Sequence, residues 1–493
     1  MSQTSSAGNV ESLMEERSDH EKGSSRTGPI DLQGQKILFV AYFYPPVFGT
    51  GLPGAMRTVK FIRNLTNGEC HVLTTHELEP TADASSALDH LPLPINGEYI
   101  HRAGRVDLFG AALNLRQRLK RLLSRRSVTS AANTELGKRA QFKSESNDKD
   151  TRSALQKIKD FIYDLFYFPD QAAPWILPAV IRGRKLVRQR DIDVIFATGS
   201  PWSGLIVGYL ISRLTGKPLI ADFRDPWMNN PFHQSKGRML DGLASRLEQR
   251  VVRYSRWVSL NTDALHDEFV RRYPNLDHGR FVVMPNGFDP DDFEDLHADA
   301  TATQESEPDR WITLIHAGFL YGPRDPKALL LALRKANLNI TDNARKIRFI
   351  QIGELALDYK VEEEFSDLLE QGQLVLEPQK PYRECLNRMA AADVLVNIQP
   401  GTKTQVPSKL YDYLALNRPI LNITTSDGAL GKMVQDYGFG RLVGLSDTRQ
   451  LVDYLVVLRT KPGKRIADYP LREKFHVRKI TSDLALLFTK SVQ

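Results

Sequence analysis

One alternation occurs twice along this chain, and it leaves few folds open. From Lys36 a short apolar run, "KILFVAYFYPP" (36–46), leads into a glycine-rich loop. A stretch with helical spacing (Val59, Ile62, Leu65) and a second apolar run, "CHVLTT" (70–75), follow. From Trp311 the order returns as "WITLIHAG", a loop containing Gly322, and the helical "PKALLLALRKA". Short apolar strands alternating with helices make parallel sheets whose two faces are both covered. Two such arrays predict an α/β protein of two Rossmann-like, doubly wound domains facing each other across a cleft. In such sheets ligands bind beyond the carboxyl ends of the strands.

The remaining segments fit that frame. In the first half, "DVIFATGSPWSG" reads as strand then loop and "LIVGYLISRLTG" as helix. "KPLIADFRDPW" is strand then loop, 239–254 is helix, "RWVSLNT" is a strand, and "RFVVMPNGFD" ends this half. In the second half, the strands "KIRFIQIG", "LVLEP", "VLVNIQP" and "PILNITT" alternate with helical segments at 359–371, 381–392, 408–416 and 428–436. A chain of 493 residues exceeds one core. The expected boundaries are a polar, disordered tail at 1–34 and a first domain at 35–289. An acidic linker at 290–309, a second domain at 310–475 and a terminal segment at 476–493 complete the chain. The stretch between the first two strands and Asp193 is expected to be irregular, with a basic insertion at about 106–155.

Charge and cysteine content narrow the setting. Lys and Arg total 66 against 59 Asp and Glu, a formal charge of +7, which suits an anionic ligand or surface. The only cysteines, Cys70 and Cys385, argue for a reducing, cytoplasmic compartment rather than a disulfide framework. The sequence carries no signal-peptide pattern and no apolar run long enough to span a bilayer. Within 114–126, Leu115, Leu119, Leu122 and Leu123 share one helix face, flanked by Arg116, Lys120, Arg121, Arg125 and Arg126. That pattern fits an interfacial helix on anionic lipid, at about 1 kcal/mol per basic residue, or a solvated helix packed on the domain. The first reading puts the protein peripherally on the inner face of the plasma membrane. No recognition module points to nucleic acid.

The polar candidates cluster at strand ends. In "QVPSKLYDYLALNRPILNI", Ser408 after Pro407 is an expected helix N-cap, and Asn417 with Pro419 an expected stop. Lys409 then occupies the first helical position, where a cation costs about 0.3–1 kcal/mol unless an anion meets it. Arg324, on the loop before the next helix, suits bidentate contact with phosphate. A diphosphate between Arg324 and Lys409 is one reading, and a lysine extended into solvent is the other. His316 and Gly318 lie at the strand end before Arg324, where a histidine is more often a core or turn residue than a catalyst. "ADFRDPW" puts Asp222 and Arg224 on one side of a strand and Asp225 on the other, as receivers of sugar or acceptor hydroxyls or as a structural ion-pair network. The neighbouring "TGSPWSG" loop carries Ser200. Gly49, Gly51 and Gly54 suit close backbone approach to a phosphate or sugar, or simply a tight turn. No GxGxxG, P-loop or clustered carboxylate motif occurs, so neither a resident cofactor nor a metal is expected.

Taken in order, "YFYPPVFGTG…R", "SPWSG", "ADFRDPW", "VVMPNGFD", "HAGFLYGPRDP" and "PSKLYDYLALNRPIL" resemble the landmarks of glycosyltransferase family 4, retaining nucleotide-sugar enzymes of the GT-B fold. The resemblance runs from about residue 36 to the end. It implies a donor site in the second domain, for a UDP- or GDP-sugar, with Arg324 and Lys409 on the diphosphate and His316, Gly318, Pro407, Ser408, Leu410 and Asp412 around it. Asp412 would take the ribose. The first domain would bind a lipid-linked or oligosaccharide acceptor through Gly49, Gly51, Gly54, Arg57, Ser200, Arg224 and Trp227. Asp222 and Asp225 would stand with Arg324 and Lys409 at the reacting centre. Asn286 and Asp289 would fix the hinge, and the last helix would return to the first domain. Thr404 stands where the family has the first glutamate of its Glu-x7-Glu motif, and Phe319 where it has an arginine; Pro53 is an extra proline. The implied activity is sugar transfer with retention, in surface or exopolysaccharide synthesis. Competing readings are a GT-B sugar-nucleotide epimerase and a partner protein that kept the fold but lost turnover.

Overall fold

A computed structural model describes residues 30–45, 52–76, 97–106, 161–230, 235–293, 296, 311–338, 345–460 and 466–493. The first sheet contains seven parallel strands: β1 (Lys36–Val40), β2 (Glu69–Thr75), β3 (Glu98–Ala103), β4 (Val194–Gly199), β5 (Leu219–Phe223), β6 (Trp257–Leu260) and β7 (Phe281–Val283). Their order across the sheet is β3-β2-β1-β4-β5-β6-β7. The second sheet has six: β8 (Ile312–Ala317), β9 (Ile347–Ile352), β10 (Leu374–Glu377), β11 (Val394–Ile398), β12 (Ile420–Ile423) and β13 (Arg441–Val443). Their order is β10-β9-β8-β11-β12-β13. In both sheets the strand order reverses beside the first strand, so the crevices open between β1 and β4 and between β8 and β11.

The strands are apolar on both faces because helices cover both. In β1, Leu38 and Val40 join one buried cluster while Ile37 and Phe39 join another on the opposite face. In β11, Leu395 packs with Leu410 and Leu414, and Val394 and Val396 pack with Leu330 and Leu333. The helices used below are α1 (Leu52–Arg63), α2 (Ile176–Arg190), α3 (Lys327–Asn337), α4 (Lys409–Leu416) and α5 (Val477–Val492).

Three expected boundaries move. The tail expected at 1–34 overlaps structured residues, since Ile30–Asp31 pair in parallel with Leu65–Thr66 and Leu32 is buried. The linker expected at 290–309 begins inside the fold: Pro290–Asp292 form a 3-10 turn, and Phe293 and Leu296 enter the core of the second half. A single apolar side chain every few residues suffices to anchor such a segment, and its acidic composition masked this. The stretch expected to be irregular holds β3, whose polar sequence EYIHRA suits an edge strand. The basic segment 114–126 and most of the insertion at 106–155 lie outside the described residues.

The chain crosses between the sheets twice, and the crossings run side by side. Phe288 N–H donates to Phe475 O at 3.0 Å, and Val477 N–H donates to Phe288 O at 2.8 Å. A side chain at Gly287 would come within 2.6 Å of Phe475 O and of Ile480 Cδ1, so the close approach demands glycine. Helix α5 then lies on the first sheet, with Phe488 edge-on to Phe39 and Phe196. Removing such a buried ring typically costs about 3–5 kcal/mol.

Candidate active site

At the switch point of the second sheet a hydrogen-bonded chain links β9, β8 and α4. Gln351, on β9 in register with His316, donates through Nε2 to Gly318 O at 2.7 Å. Its Oε1 faces His316 Nδ1 at 2.8 Å. Because the amide nitrogen is committed to a carbonyl, its oxygen accepts, and His316 carries its proton on Nδ1. His316 Nε2 then accepts from Lys409 Nζ at 2.7 Å, and the ammonium also donates to Ala317 O at 3.2 Å. Burial, with the nearby charges of Lys409 and Arg324, holds His316 well below its usual pKa despite the Gln351 bond, so the ring is neutral.

Lys409 therefore turns inward, and the solvent-extended alternative does not hold. Its hydrogen-bond partners are neutral atoms, and burial together with the charge of Arg324 lowers its pKa to about 7. Arg324 lies over the Tyr321 ring, 5.2 Å from the centroid, and its buried Nε has no hydrogen-bond partner. It stands on the loop three residues before α3, whose first N–H is taken by Asp325 Oδ1 at 2.8 Å, so two cations meet beside one strand end, Lys409 at the start of α4 and Arg324 on this loop. Gly318 has a φ of +133°, and a Cβ there would stand 3.0 Å from Lys409 Nζ. The site needs glycine at that point for both reasons.

Other expected donor contacts change. Ser408 does not cap α4: its backbone is helical and its side chain makes no capping bond. Its carbonyl instead accepts from Tyr411 N–H, extending the first turn backwards. Leu410 is a core residue, and its N–H donates to Pro407 O, which leaves it nothing to offer a ligand. Asp412 accepts from Tyr382 Oη at 2.8 Å, and burial raises its carboxyl above the usual range.

In the first domain several candidates are committed to structure. Asp222 is fully buried, with one ion pair and two hydroxyl partners. It accepts from Thr198 Oγ1 (2.8 Å), Ser259 Oγ (2.7 Å) and Arg57 Nη2 (3.1 Å). Arg57 also donates to the crossover, to Met284 O at 2.7 Å, Pro285 O at 2.7 Å and Asn286 Oδ1 at 3.0 Å, while its buried Nε has no hydrogen-bond partner. Neither is placed to touch an acceptor. The network arises because Arg57 on α1 reaches across the ends of β5 and β7, a convergence that strand alternation alone does not reveal. Trp227 is buried and stacked on Trp202, at 5.7 Å between centroids, so it packs rather than binds. Arg224 donates to Gly199 O and Ser200 O, fastening the 199–201 loop. Gly54 lies within α1, and Gly49 and Gly51 are outside the described residues.

Asp225 differs. It accepts from Gln405 Nε2 at 2.9 Å, a residue of the second half. Thr262 Oγ1 likewise donates to Thr404 O at 2.8 Å. The loop after β11 thus touches the first domain where Asp225 stands. At the hinge, Asn286 N–H donates to Asn261 Oδ1 at 2.9 Å, and Asp289 accepts from Arg63 at 2.6 Å and Asn64 at 3.3 Å. Burial would raise the Asp289 carboxyl, but Arg63 holds it below the usual range. Among the described residues no group of three His, Cys, Asp or Glu is arranged to hold a metal ion.

Gln351, Gln405 and Tyr382 were not singled out from the sequence. Only Gln351 left a signal, a polar residue inside the apolar run "KIRFIQIG".

Comparison with known proteins bears on the whole chain. A family model described as Glycosyltransferase Family 4 matches residues 147–292. No curated protein matches the sequence significantly. Among solved structures, Anabaena Alr3699/HepE in complex with UDP and glucose is similar at 14% identity and a TM-score of 0.52. That match covers 92% of this chain and 100% of the other. Sucrose-phosphate synthase from Thermosynechococcus elongatus aligns at 12% identity and a TM-score of 0.54, covering 92% of this chain and 98% of its own. A glycosyltransferase from Rickettsia africae gives 10% identity and 0.53, over 93% and 99%. The fold is GT-B.

Proposed function

We propose that this protein is a glycosyltransferase that moves a sugar from a nucleoside-diphosphate sugar to a lipid-linked or saccharide acceptor. The observation that carries the reading is the inward-turned Lys409 ammonium, hydrogen-bonded only to neutral atoms and set beside Arg324 at the switch point of the second sheet. Two cations beside one strand end, Lys409 at the first position of α4 and Arg324 on the loop before α3, favour a multiply charged anion. The Family 4 match over part of the chain and the UDP bound in the Anabaena structure support the choice of a nucleotide diphosphate.

The chain's own groups divide the work. Lys409, steadied by the neutral His316 ring, and Arg324 take up the charge that grows on the leaving diphosphate, each such contact contributing a few kcal/mol to the transition state. Asp225 faces the cleft from the acceptor side, where it meets an acceptor hydroxyl or the departing proton. The reaction runs with retention at the anomeric carbon and without a metal, as expected from the family likeness. We assign the UDP- or GDP-sugar to the second domain, the acceptor to the first, and the activity to surface or exopolysaccharide synthesis on the cytoplasmic side.

A thermal-shift titration with UDP, GDP, ADP and TDP tests the donor site. A ligand at about a hundred times its Kd adds about 2.7 kcal/mol, expected with one base only. No shift with any of the four overturns the reading. With the donor identified, the anomeric configuration of the product, read by NMR, tests retention.

A further inference from the structure

Helix α2 carries Arg182, Arg184, Lys185, Arg188 and Arg190 and no acidic residue. Its inner face is the apolar set Ala179, Val180, Gly183, Leu186 and Val187, packed into the first domain. At 100° per residue, Leu177, Ile181, Arg184, Lys185 and Arg188 fall on the opposite stripe. Leu177 and Ile181 are each 63% exposed, among the most exposed large apolar side chains described. The stripe is therefore graded: two aliphatic residues at the amino end, then three cations, over roughly 16 Å of helix. Phe161, Ile162 and Leu165, in the helical segment 161–166 just upstream, are exposed as well. That segment is tied to the approach of α2 by Gln171 Nε2 donating to Tyr163 Oη at 3.0 Å.

The direction of the helix gives the stripe an orientation. Helix α2 leads into β4, so its amino end lies at the same end of the sheet as the cleft. The aliphatic residues thus stand near the cleft rim, and the cations stand farther from it. We propose that this face of α2 docks on an anionic lipid surface, Leu177 and Ile181 entering the headgroup layer and Arg184, Lys185 and Arg188 meeting the lipid phosphates. Five cations without an acidic partner on the helix suit an anionic leaflet, and the exposed aliphatic end gives it something to insert. A second copy of this chain is a poor occupant, because it would bring the same cations face to face in a molecule of formal charge +7. A nucleic acid offers the aliphatic end no apolar surface. The docking is separate from the 114–126 segment and does not depend on the transfer reaction.

Vesicle flotation of the full chain at 0.1 M salt tests this, comparing phosphatidylcholine vesicles with vesicles containing about 30% phosphatidylglycerol. The expected result is binding at least tenfold tighter to the anionic vesicles, weakened by added salt. At about 1 kcal/mol per cation, roughly fivefold each, the triple variant Arg184→Gln, Lys185→Gln, Arg188→Gln lowers the partition coefficient by about a hundredfold. The variant Leu177→Ser, Ile181→Ser, at exposed positions, lowers it without removing the salt dependence. Nucleotide thermal shifts serve as the control for folding in both variants. Unchanged partition in the triple variant, equal binding to both vesicle types, or tighter binding to a single-stranded oligonucleotide than to the anionic vesicles overturns the proposal.

Discussion

Replacing Lys409 with methionine removes the ammonium and keeps an unbranched stem of similar reach. In the folded chain that ammonium is held at 2.7 Å from His316 Nε2 and 3.2 Å from Ala317 O, with its pKa brought down to about 7 by burial and by Arg324. A hydrogen bond between charged partners contributes about 1.5–3 kcal/mol net, so the variant should bind the selected nucleoside diphosphate roughly tenfold to a hundredfold more weakly. Loss of the same contact in the transition state should lower turnover by about 10²–10³. The pH dependence follows with a definite sign. Above pH 7 the free protein increasingly holds Lys409 neutral, whereas the diphosphate complex needs it charged. Binding therefore takes up a proton, and wild-type affinity falls by up to about tenfold per pH unit above pH 7. Calorimetric titrations between pH 7 and 9, in two buffers of different ionisation enthalpy, measure both the affinity and the proton uptake. The slope should vanish in Lys409→Met. Equal slopes in the two proteins, or undiminished affinity in the variant, refute the reasoning.

Two further outcomes are expected. In Gln351→Leu the His316 ring loses the acceptor that holds its proton on Nδ1, so nucleotide affinity should fall about tenfold, in line with the loss of one hydrogen bond. Nitrogen NMR should show the Nδ1–H tautomer in the wild type and a mixture in the variant, and a wild-type Nε2–H ring would end that account. Asp289→Asn removes the charge that Arg63 meets at 2.6 Å, while Asp292 stays with Arg63 at 2.8 Å, and should cost about 1.5–3 kcal/mol at pH 7. Because the folded carboxyl lies below the usual range, its contribution is present above the unfolded value near 3.9 and is lost as pH falls through the folded value. The gap between wild type and variant in urea unfolding should narrow towards pH 3, and a constant gap would contradict the pairing.

The strand runs were legible because burial on both faces writes itself into composition: "KILFV", "VIFATG" and "VLVNI" have no polar side to show. The edge strand EYIHRA was not legible, because half of its surroundings is solvent and its residues need not be apolar. Phe293 and Leu296 were hidden for a related reason, two anchoring side chains in an otherwise acidic stretch. The sequence by itself determined the two parallel sheets, the strand-end positions of Lys409 and Arg324 and the mismatch of a cation with a helix N-terminus. Only the tertiary structure decided which polar groups remain available. Asp222 and Arg57 are 165 residues apart in sequence and cancel each other in the core, whereas Asp225, three residues farther along, faces the other domain. Local patterning records whether a side chain faces core or solvent. Which partner it finds there depends on where distant strands end, and that is set by the packing of the whole sheet.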